Sequence, residues 1–520
     1  VDQLTPKQWL VRLYSQIMLR NRRTEKFDDY YMGEFDMPWL PSQVEDEFKR
    51  TLKLTRANYM GLVIDSMVER MDLIGFRRGE GDCAMGDDEL WSLWSANDMQ
   101  TKHDQGLLEA AIHGAFYYLV TPNPKRPDRP KIFIEHPTQA IVEFEPGTDR
   151  RERAAGLKVW IDEWTGYVYA TLYLPDAIYK FMAKDPAAVA NTPTIGEAVN
   201  LPGERELSAS MASWEERHVT GEEWPAPNDM GVVPLIESPN NPRLLTGGIS
   251  ELYDLTDSQD RIVKTIADRM LTQDYGAFPQ KYASGWPSED QTGTTNDPIE
   301  IGRKRIVTTD VIETKFGQWD SAPLSPYIEA IRQDVTDIAS RSRTPPHYFR
   351  LDATGNGAAL KASEGGLVSK VGQRIKGHSS PAVEAIRLAA IVAGLDVDEG
   401  TVIETMWKNP EFRTQAETTD SLIKMRQAAD LPRRVVWELW GATPSDIERW
   451  EHLLEEERRE AAELDPAAML ADQYRANADA QIQAPDARSN SQKKNGDPIP
   501  GGGKPEADEQ KIITPNGMTK

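Results

Sequence analysis

The stretch PLSPYIEAIRQDVTDIASRSRTPPHYFRLDATGNGAALKASEGGLVSKVGQRIKGHSSPAVEAIRLAAIVA, residues 323–393, decides how the rest of the chain is read. Ile328, Ile331, Val335 and Ile338 recur at three- and four-residue steps, which predicts a helix over 323–343 with one buried stripe. The helix should stop at Arg343-Thr344-Pro345-Pro346, because proline lacks the amide donor and pushes its predecessor out of helical space. A glycine-bearing loop over 344–359 follows. A second long helical pattern begins near Leu360 and carries Leu367, Val368, Val371 and Ile375. Ser379-Ser380-Pro381 interrupts it before Val383, Ile386 and Ile391 resume, and proline after serine suits the first turn of a new helix, so a sharp kink is expected there.

This stretch differs in charge from its surroundings. From Arg341 to Lys376 it holds seven basic residues (Arg341, Arg343, Arg350, Lys361, Lys370, Arg374, Lys376) against Asp352 and Glu364, while the whole chain carries −23. A locally basic helix–loop–helix within an acidic protein could touch phosphate without gripping it. Solvated helix faces would give the same pattern.

A length of 520 residues suggests roughly two to four domains. With 39% hydrophobic and 28% charged residues, the composition is that of a soluble globular chain with enough length to bury a core. Fourteen tryptophans supply large packing surfaces. The single cysteine, Cys83, excludes an internal disulfide framework and a cysteine-based metal cluster. No apolar run approaches the length of a membrane span, so no membrane partner is expected, and VDQLTPKQWL carries no secretion signature. Together these features fit a reduced protein made in the cytoplasm. The acidic balance argues against a protein that coats DNA phosphates with lysine and arginine, though not against one past which DNA slides.

Taken in order, residues 5–34 predict an amphipathic helix with Thr5 as cap and Pro6 at its first position, ended by Gly33. Residues 43–74 read as helical and lead into a strand, LIGFRR. Residues 88–118 read as helical again. From there to about 237 the period becomes two, and KIFIEHP, AIVEFEP, LKVWIDE, YVYATLYLP and ERHVT predict short strands, so the first 240 residues form an α+β body. Residues 249–275 predict a helix. Residues 276–322 carry two or three short strands (PQKYASG, RIVTTD, VIETKFGQW) around the polar loop DQTGTTNDP, giving a β insertion between two helices. Beyond Gly394, helices are expected at 414–429, 433–440 and from Pro444 onward, and the acidic run 450–465 reads as a solvated helix face. Residues 481–520 are polar, rich in glycine and proline, and read as disordered. No internal repeat is evident.

The order of segments resembles the portal proteins of tailed phages, of the kind found in long-tailed phages of Gram-positive hosts. The resemblance rests on NYMGLVIDSMVERMDLIGF (58–76), LWSLWSANDM (90–99), HGAFYYLV (113–120), GVVPLIESPNNPRL (231–244) and SQDRIVKTIADRM (258–270). It continues through YGAFPQKY (275–282), KFGQWDSAPLSPYI (315–328), RTPPHYF (343–349), GNGAALKASEGGLVSK (355–370) and RRVVWELWGATPSDI (433–447), and so spans about residues 5–450.

What it implies is a non-enzymatic virion protein of α+β fold, forming a dodecameric ring at a unique capsid vertex. That ring would serve as the channel for double-stranded DNA packaging and ejection. On this chain the resemblance maps 1–248 and the kinked helix 360–393 to a wing, 249–275 and 323–343 to paired stem helices, and 276–322 to a clip. It maps 344–359 to a tunnel loop, 394–480 to a helical crown, and 481–520 to a tail. The implied partners are the terminase large subunit and a head-completion adaptor at the clip, with major capsid and scaffold proteins around the ring, assembled in the host cytoplasm. Clip docking candidates are Asp290, Gln291, Thr294, Asn296 and Asp297. Tunnel candidates are Arg350, Asn356, Lys361, Lys370 and Arg374, the four basic ones offering weak, exchangeable phosphate contacts, or alternatively salt bridges to a neighbouring subunit. The runner-up reading is another ring-shaped head–tail connector or adaptor without a motor-docking role.

No catalytic pattern in the sequence is complete. GNGAALKAS (355–363) lacks the spacing and the preceding strand of a phosphate-binding loop. GHSSP (377–381) departs from the nucleophile-elbow pattern at its last position. Asp396, Asp398 and Glu399 have the acidity of a calcium loop without its ligand spacing, and a helix cap suits them better. The seven histidines are scattered with no H-x3-H pair for zinc, His347 reads as a loop-packing residue, and Cys83 has no nearby base. No cofactor, metal ligand or catalytic residue is therefore expected.

Overall fold

The structure, a computed structural model, describes residues 4–37, 53–79, 85–148, 150–186, 213–244, 247–277, 281–284, 315–318, 320–349, 357–397, 400–411 and 415–463. Cys83, Arg350, Asn356, Asp398, Glu399, the clip candidates at 290–297 and the tail 481–520 lie outside the described residues. The chain forms two compact units, 1–450 and 451–520.

In the first unit, α1 (Pro6–Met32) begins with a reciprocal cap. Gln8 N–H donates to the Thr5 hydroxyl at 3.4 Å, and Thr5 N–H donates to the Gln8 side chain at 2.8 Å. Gly33 ends it in the left-handed conformation (φ 74°), as Thr5-Pro6 and Gly33 predict. Trp9, Leu10, Leu13 and Ile17 line one face of α1 and are buried with residues of the large sheet described below. Burying each such side chain contributes about 1.5–3 kcal/mol, so this face decides where α1 docks.

A 3-10 turn (Lys53–Thr55) precedes α2 (Met60–Val68), and β1 (Leu73–Arg78) and β2 (Met85–Gly86) follow. Next come α3 (Asp88–Ser95), capped by the Asp87 carboxylate, and α4 (Met99–His113). The expected helix through residue 118 stops early. Gly114 takes φ 96°, and β3 (Ala115–Thr121) starts at once. The cause is tertiary: a Cβ on Gly248 would sit 1.6 Å from the Gly114 carbonyl oxygen, and Asn240 N–H donates to that same oxygen at 2.8 Å.

The strands β4 (Lys131–Glu135), β5 (Ala140–Phe144), β6 (Arg153–Ile161), β7 (Val168–Tyr173), β8 (Ala177–Ala183), β9 (Glu215–Glu216), β10 (Ala226–Pro227) and β11 (Leu235–Pro239) complete this body. All pair antiparallel, as β10-β8-β7-β6-β5 with β9 beside β8, and as β11-β3-β4. β8 was not anticipated.

α5 (Thr256–Ala277) starts later than residue 249, because 251–255 form turns ahead of it. It leads into β12 (Lys281–Ser284), which pairs antiparallel with β13 (Lys315–Gln318) before α6 (Ser325–Ser342) returns. Arg343 ends α6 at φ 58°, and α7 (Pro346–Phe349) is one turn.

α8 (Gly357–Ala393) then runs 37 residues with Pro381 inside it, so the expected new helix at Pro381 does not form. Ser379 donates to the Ile375 carbonyl at 2.7 Å just before the proline. Leu367 and Val371 ahead of Pro381, and Ala382, Ala385, Ile386 and Ala389 behind it, belong to one core cluster. Burial on both sides holds a helix that proline alone would break.

β14 (Ile403–Trp407), also unanticipated, pairs with β1 and completes the sheet β14-β1-β2. α9 (Gln415–Ala429), α10 (Arg433–Trp440) and α11 (Pro444–Glu463) match the expected helices. Pro444 seats α11 on β1 and β2, where a Cβ on Gly75 would meet it at 2.9 Å and one on Gly86 at 3.0 Å. In the second unit the described residues are the end of α11, where His452 and Glu456 pair at 3.6 Å. Among the described residues no helix is long and apolar enough to cross a membrane.

Candidate functional site

The most organised polar region lies where α5, α6 and α8 meet. α5 and α6 form an antiparallel hairpin: Ser258 bonds Asp337 at 3.3 Å, Arg261 bonds Asp334 at 3.0 Å, and Thr272 bonds Tyr327 at 3.1 Å. The numbers rise along one helix as they fall along the other. Leu255, Ile262 and Ile266 on α5 and its lead-in, with Val335 and Ile338 on α6, are buried in the main core cluster. The β12–β13 ladder extends the hairpin at its far end, and the Ser321 hydroxyl ties back to the Gly276 carbonyl at 3.1 Å.

At the near end, Glu251 is a buried hub. Its carboxylate takes Lys370 Nζ at 2.8 Å and Arg374 Nε at 2.5 Å, and accepts from the Asn240 amide at 2.9 Å. Lys370 is only 4% exposed and also donates to the Ser342 carbonyl at 3.1 Å. Arg374 reaches Asn241 at 2.9 Å. Burial pushes the Glu251 carboxyl up, but Lys370 and Arg374 override it and hold it at about 2. His378, one turn further along α8, is buried against Phe116 and bonded to the Ser238 hydroxyl at 2.8 Å. Burial, then Arg374, holds its imidazole down at about 4, so it is neutral at pH 7.

Arg341 bonds Ser258 at 3.1 Å, the Asp254 carboxylate at 3.1 Å and the Asp254 carbonyl. Much of the basic excess read from 341–376 is thus balanced by acids outside that stretch. Lys370 and Arg374, expected to offer weak phosphate contacts or bridges to a neighbouring subunit, pair within their own chain, and Lys370 is closed off from solvent. Arg343 and Lys376 stand exposed. Lys361 is in the first turns of α8, and its side chain lies outside what the structure describes, as do Arg350 and Asn356 entirely.

The segments flanking 350–356 are anchored to the body. Tyr348 accepts from Arg70, which also lies 3.6 Å from Glu364 and donates to the Pro410 carbonyl at 2.9 Å. His347 lies 3.8 Å from Glu364. The Phe349 and Tyr59 rings are 6.0 Å apart. An open cleft of about 680 Å³ beside this cluster is lined by the charged Glu69, Arg70, Asp72 and Lys408 together with Tyr348 and Trp440.

Glu251 is not visible in the sequence, since its charged partners Lys370 and Arg374 lie more than 100 positions away and no local motif marks it. The arrangement is a buried ionic hub joining the residues just ahead of the α5–α6 hairpin to the long core helix α8. Its serine–histidine contact, Ser238 to His378, is closed off from solvent.

Residues 15–463 match the family model described as phage portal protein, SPP1 Gp6-like. The chain is 28% identical over 394 residues to the portal protein of Mycobacterium phage D29, covering 72% of this chain and 73% of that one. It is likewise 28% identical over 393 residues to the portal protein of Mycobacterium phage L5, covering 72% of each. With the match spanning the hairpin, the hub and the sheets on either side, this chain belongs to the SPP1 Gp6-like family of phage portal proteins.

Proposed function

We propose that this protein forms a dodecameric ring at one capsid vertex and serves as the channel through which double-stranded DNA is packaged and ejected. The family match over 15–463 carries the reading. The antiparallel α5–α6 hairpin tipped by a β-ladder supports it, as a projecting element suited to docking other proteins. In this reading 249–275 and 323–343 are the stem, 276–322 the clip, and 344–359 the tunnel loop. Residues 1–248 with 360–393 form the wing, and 394–480 the crown. The terminase large subunit and later a head-completion adaptor dock at the clip through Asp290, Gln291, Thr294, Asn296 and Asp297. Arg350, Asn356 and Lys361 are the tunnel positions. Lys370 and Arg374 act instead through Glu251, holding the tunnel helix to the base of the stem.

DNA must slide rather than bind, and a protein of net charge −23 gives little net attraction to phosphate. The work of packaging comes from a partner ATPase. The decisive experiment is native mass measurement with top views of negatively stained particles. A closed ring of about twelve subunits around a hole is expected, and a compact dimer without a channel would overturn the reading. Capture of the terminase large subunit by the wild-type ring, lost on substituting Asp290 and Asp297 by alanine, separates a motor-docking portal from a connector without that role.

A further inference from the structure

The sequence contains no H-x3-H pair, yet folding brings together a histidine–carboxylate set drawn from two distant segments. Glu109 and His113 stand one turn apart on α4, and His136 leads the turn from β4 to β5. One donor atom from each lies within 4.8 Å of the other two. Nε2 of His136 is 2.9 Å from Glu109 Oε2, and Nε2 of His113 is 3.5 Å from that same oxygen. The two imidazoles meet edge to face with centroids 4.9 Å apart.

From this geometry we infer that Glu109, His113 and His136 form a binding site for a divalent transition-metal ion of zinc's class. Two imidazole nitrogens and one carboxylate oxygen are the donors that such borderline ions prefer over calcium or magnesium. Zinc–ligand bonds of about 2.0–2.1 Å put tetrahedral donors roughly 3.4 Å apart, so rotamer adjustment within the turn suffices to close the set. The fourth position is left to water.

The surroundings favour ligation. His113 is buried, with Nε2 turned toward the Glu109 carboxylate. His136 Nδ1 lies 2.6 Å from the Thr138 hydroxyl. The Thr138 N–H also donates to this Nδ1 at 3.2 Å, and the two contacts hold the ring with Nε2 toward Glu109, the outer support a ligating histidine needs. The nearby Arg20 is committed to Tyr117 and the Ala140 carbonyl, each at 2.6 Å. The Glu109 and His136 side chains are 30% and 35% exposed, leaving a route for the ion.

A bound ion would pin the β4–β5 turn to the end of α4. The same side chains could instead be only an ion-paired cluster, and metal titration separates the two. The full-length protein, stripped with a chelator and desalted, is titrated with zinc chloride against a chromophoric competitor, and thermal unfolding is followed in parallel. Expected are one zinc per chain and a rise in Tm on zinc addition. Affinity should fall more than tenfold in both His136→Ala and Glu109→Gln, while the exposed His218→Ala is unaffected. His136 and Glu109 are part-exposed, so these variants test the site without emptying the core, and their Tm without zinc verifies folding. Absence of saturable binding by the wild type, or binding and a zinc-dependent Tm that survive in either variant, would overturn the inference.

Discussion

Lys370 Nζ lies 2.8 Å from the Glu251 carboxylate, and both side chains are almost wholly shielded from water. Burying two charges costs several kcal/mol each, so such a pair adds little net stability, but removing one partner strands the other. Here a single carboxylate holds both Lys370 and Arg374.

Glu251→Gln should therefore destabilise the fold by about 3–5 kcal/mol, seen as a lower midpoint in thermal or urea unfolding. Replacing all three groups together, with Glu251→Leu, Lys370→Met and Arg374→Met, should recover most of the loss, since an apolar substitute strands no charge. If the single variant unfolds like wild type, the hub contributes nothing.

Acid should unfold the protein through buried histidines before the hub is lost. His103 sits fully buried among Trp94, Phe116, Tyr118 and Trp407, and burial, then His378, holds its imidazole at about 3. A histidine depressed in the folded state gives stability that is complete above its unfolded value near 6.5 and lost as pH falls through the folded value. Glu251, held at about 2, adds a loss that begins below the ordinary carboxylate range, near 4.5. His103→Phe should flatten the stability–pH slope between pH 6 and 4 by up to about 1.4 kcal/mol per pH unit, one proton's worth. An unchanged slope would show that His103 takes up no proton on unfolding.

Legibility in the sequence followed distance along the chain. α1 could be read because Thr5, Gln8 and Gly33 act on their own neighbours, and Gly441 does the same for α10. The α4–β3 boundary could not, because Gly248 enforces it from 134 positions away. β14 is invisible alone, as IETMW becomes a strand only against β1, where Ile403 faces Arg78 and Trp407 faces Leu73. At Pro381 local chemistry suggests the first turn of a new helix, whereas one helix continues through it with packing on both sides. Likewise the basic charge of 341–376 was countable, but its neutralisation by Glu251 and Asp254 was not.

The Gly114–Gly248 crossing gives a steric prediction. A Cβ on Gly248 would overlap backbone, which cannot rotate aside, so Gly248→Ala should prevent accumulation of folded protein or lower Tm by many degrees. Gly147, at φ 87° with open space around it, is the control. Gly147→Ala should cost only about 1–2 kcal/mol, the strain of the left-handed conformation. Comparable effects at the two sites would mean that the close backbone approach is not what matters.

The α5–α6 hairpin carries both apolar and ionic contacts, and their magnitudes predict which dominates. Arg261 is 53% exposed, so its 3.0 Å contact with Asp334 is screened by water and salt and should couple by about 0.2–1 kcal/mol in a double-mutant cycle. Ile338 is fully buried in the main core, and truncating it removes transfer energy and leaves a cavity, costing about 2–5 kcal/mol. Ile338→Ala should thus lower the unfolding midpoint several times more than Asp334→Ala does. Raising the salt concentration should shrink only the Arg261–Asp334 coupling, because the Debye length falls to about 3 Å at 1 M. If Asp334→Ala matches Ile338→Ala in cost, the hairpin is held by its charges, and the buried seam of Ile262, Val335 and Ile338 is secondary.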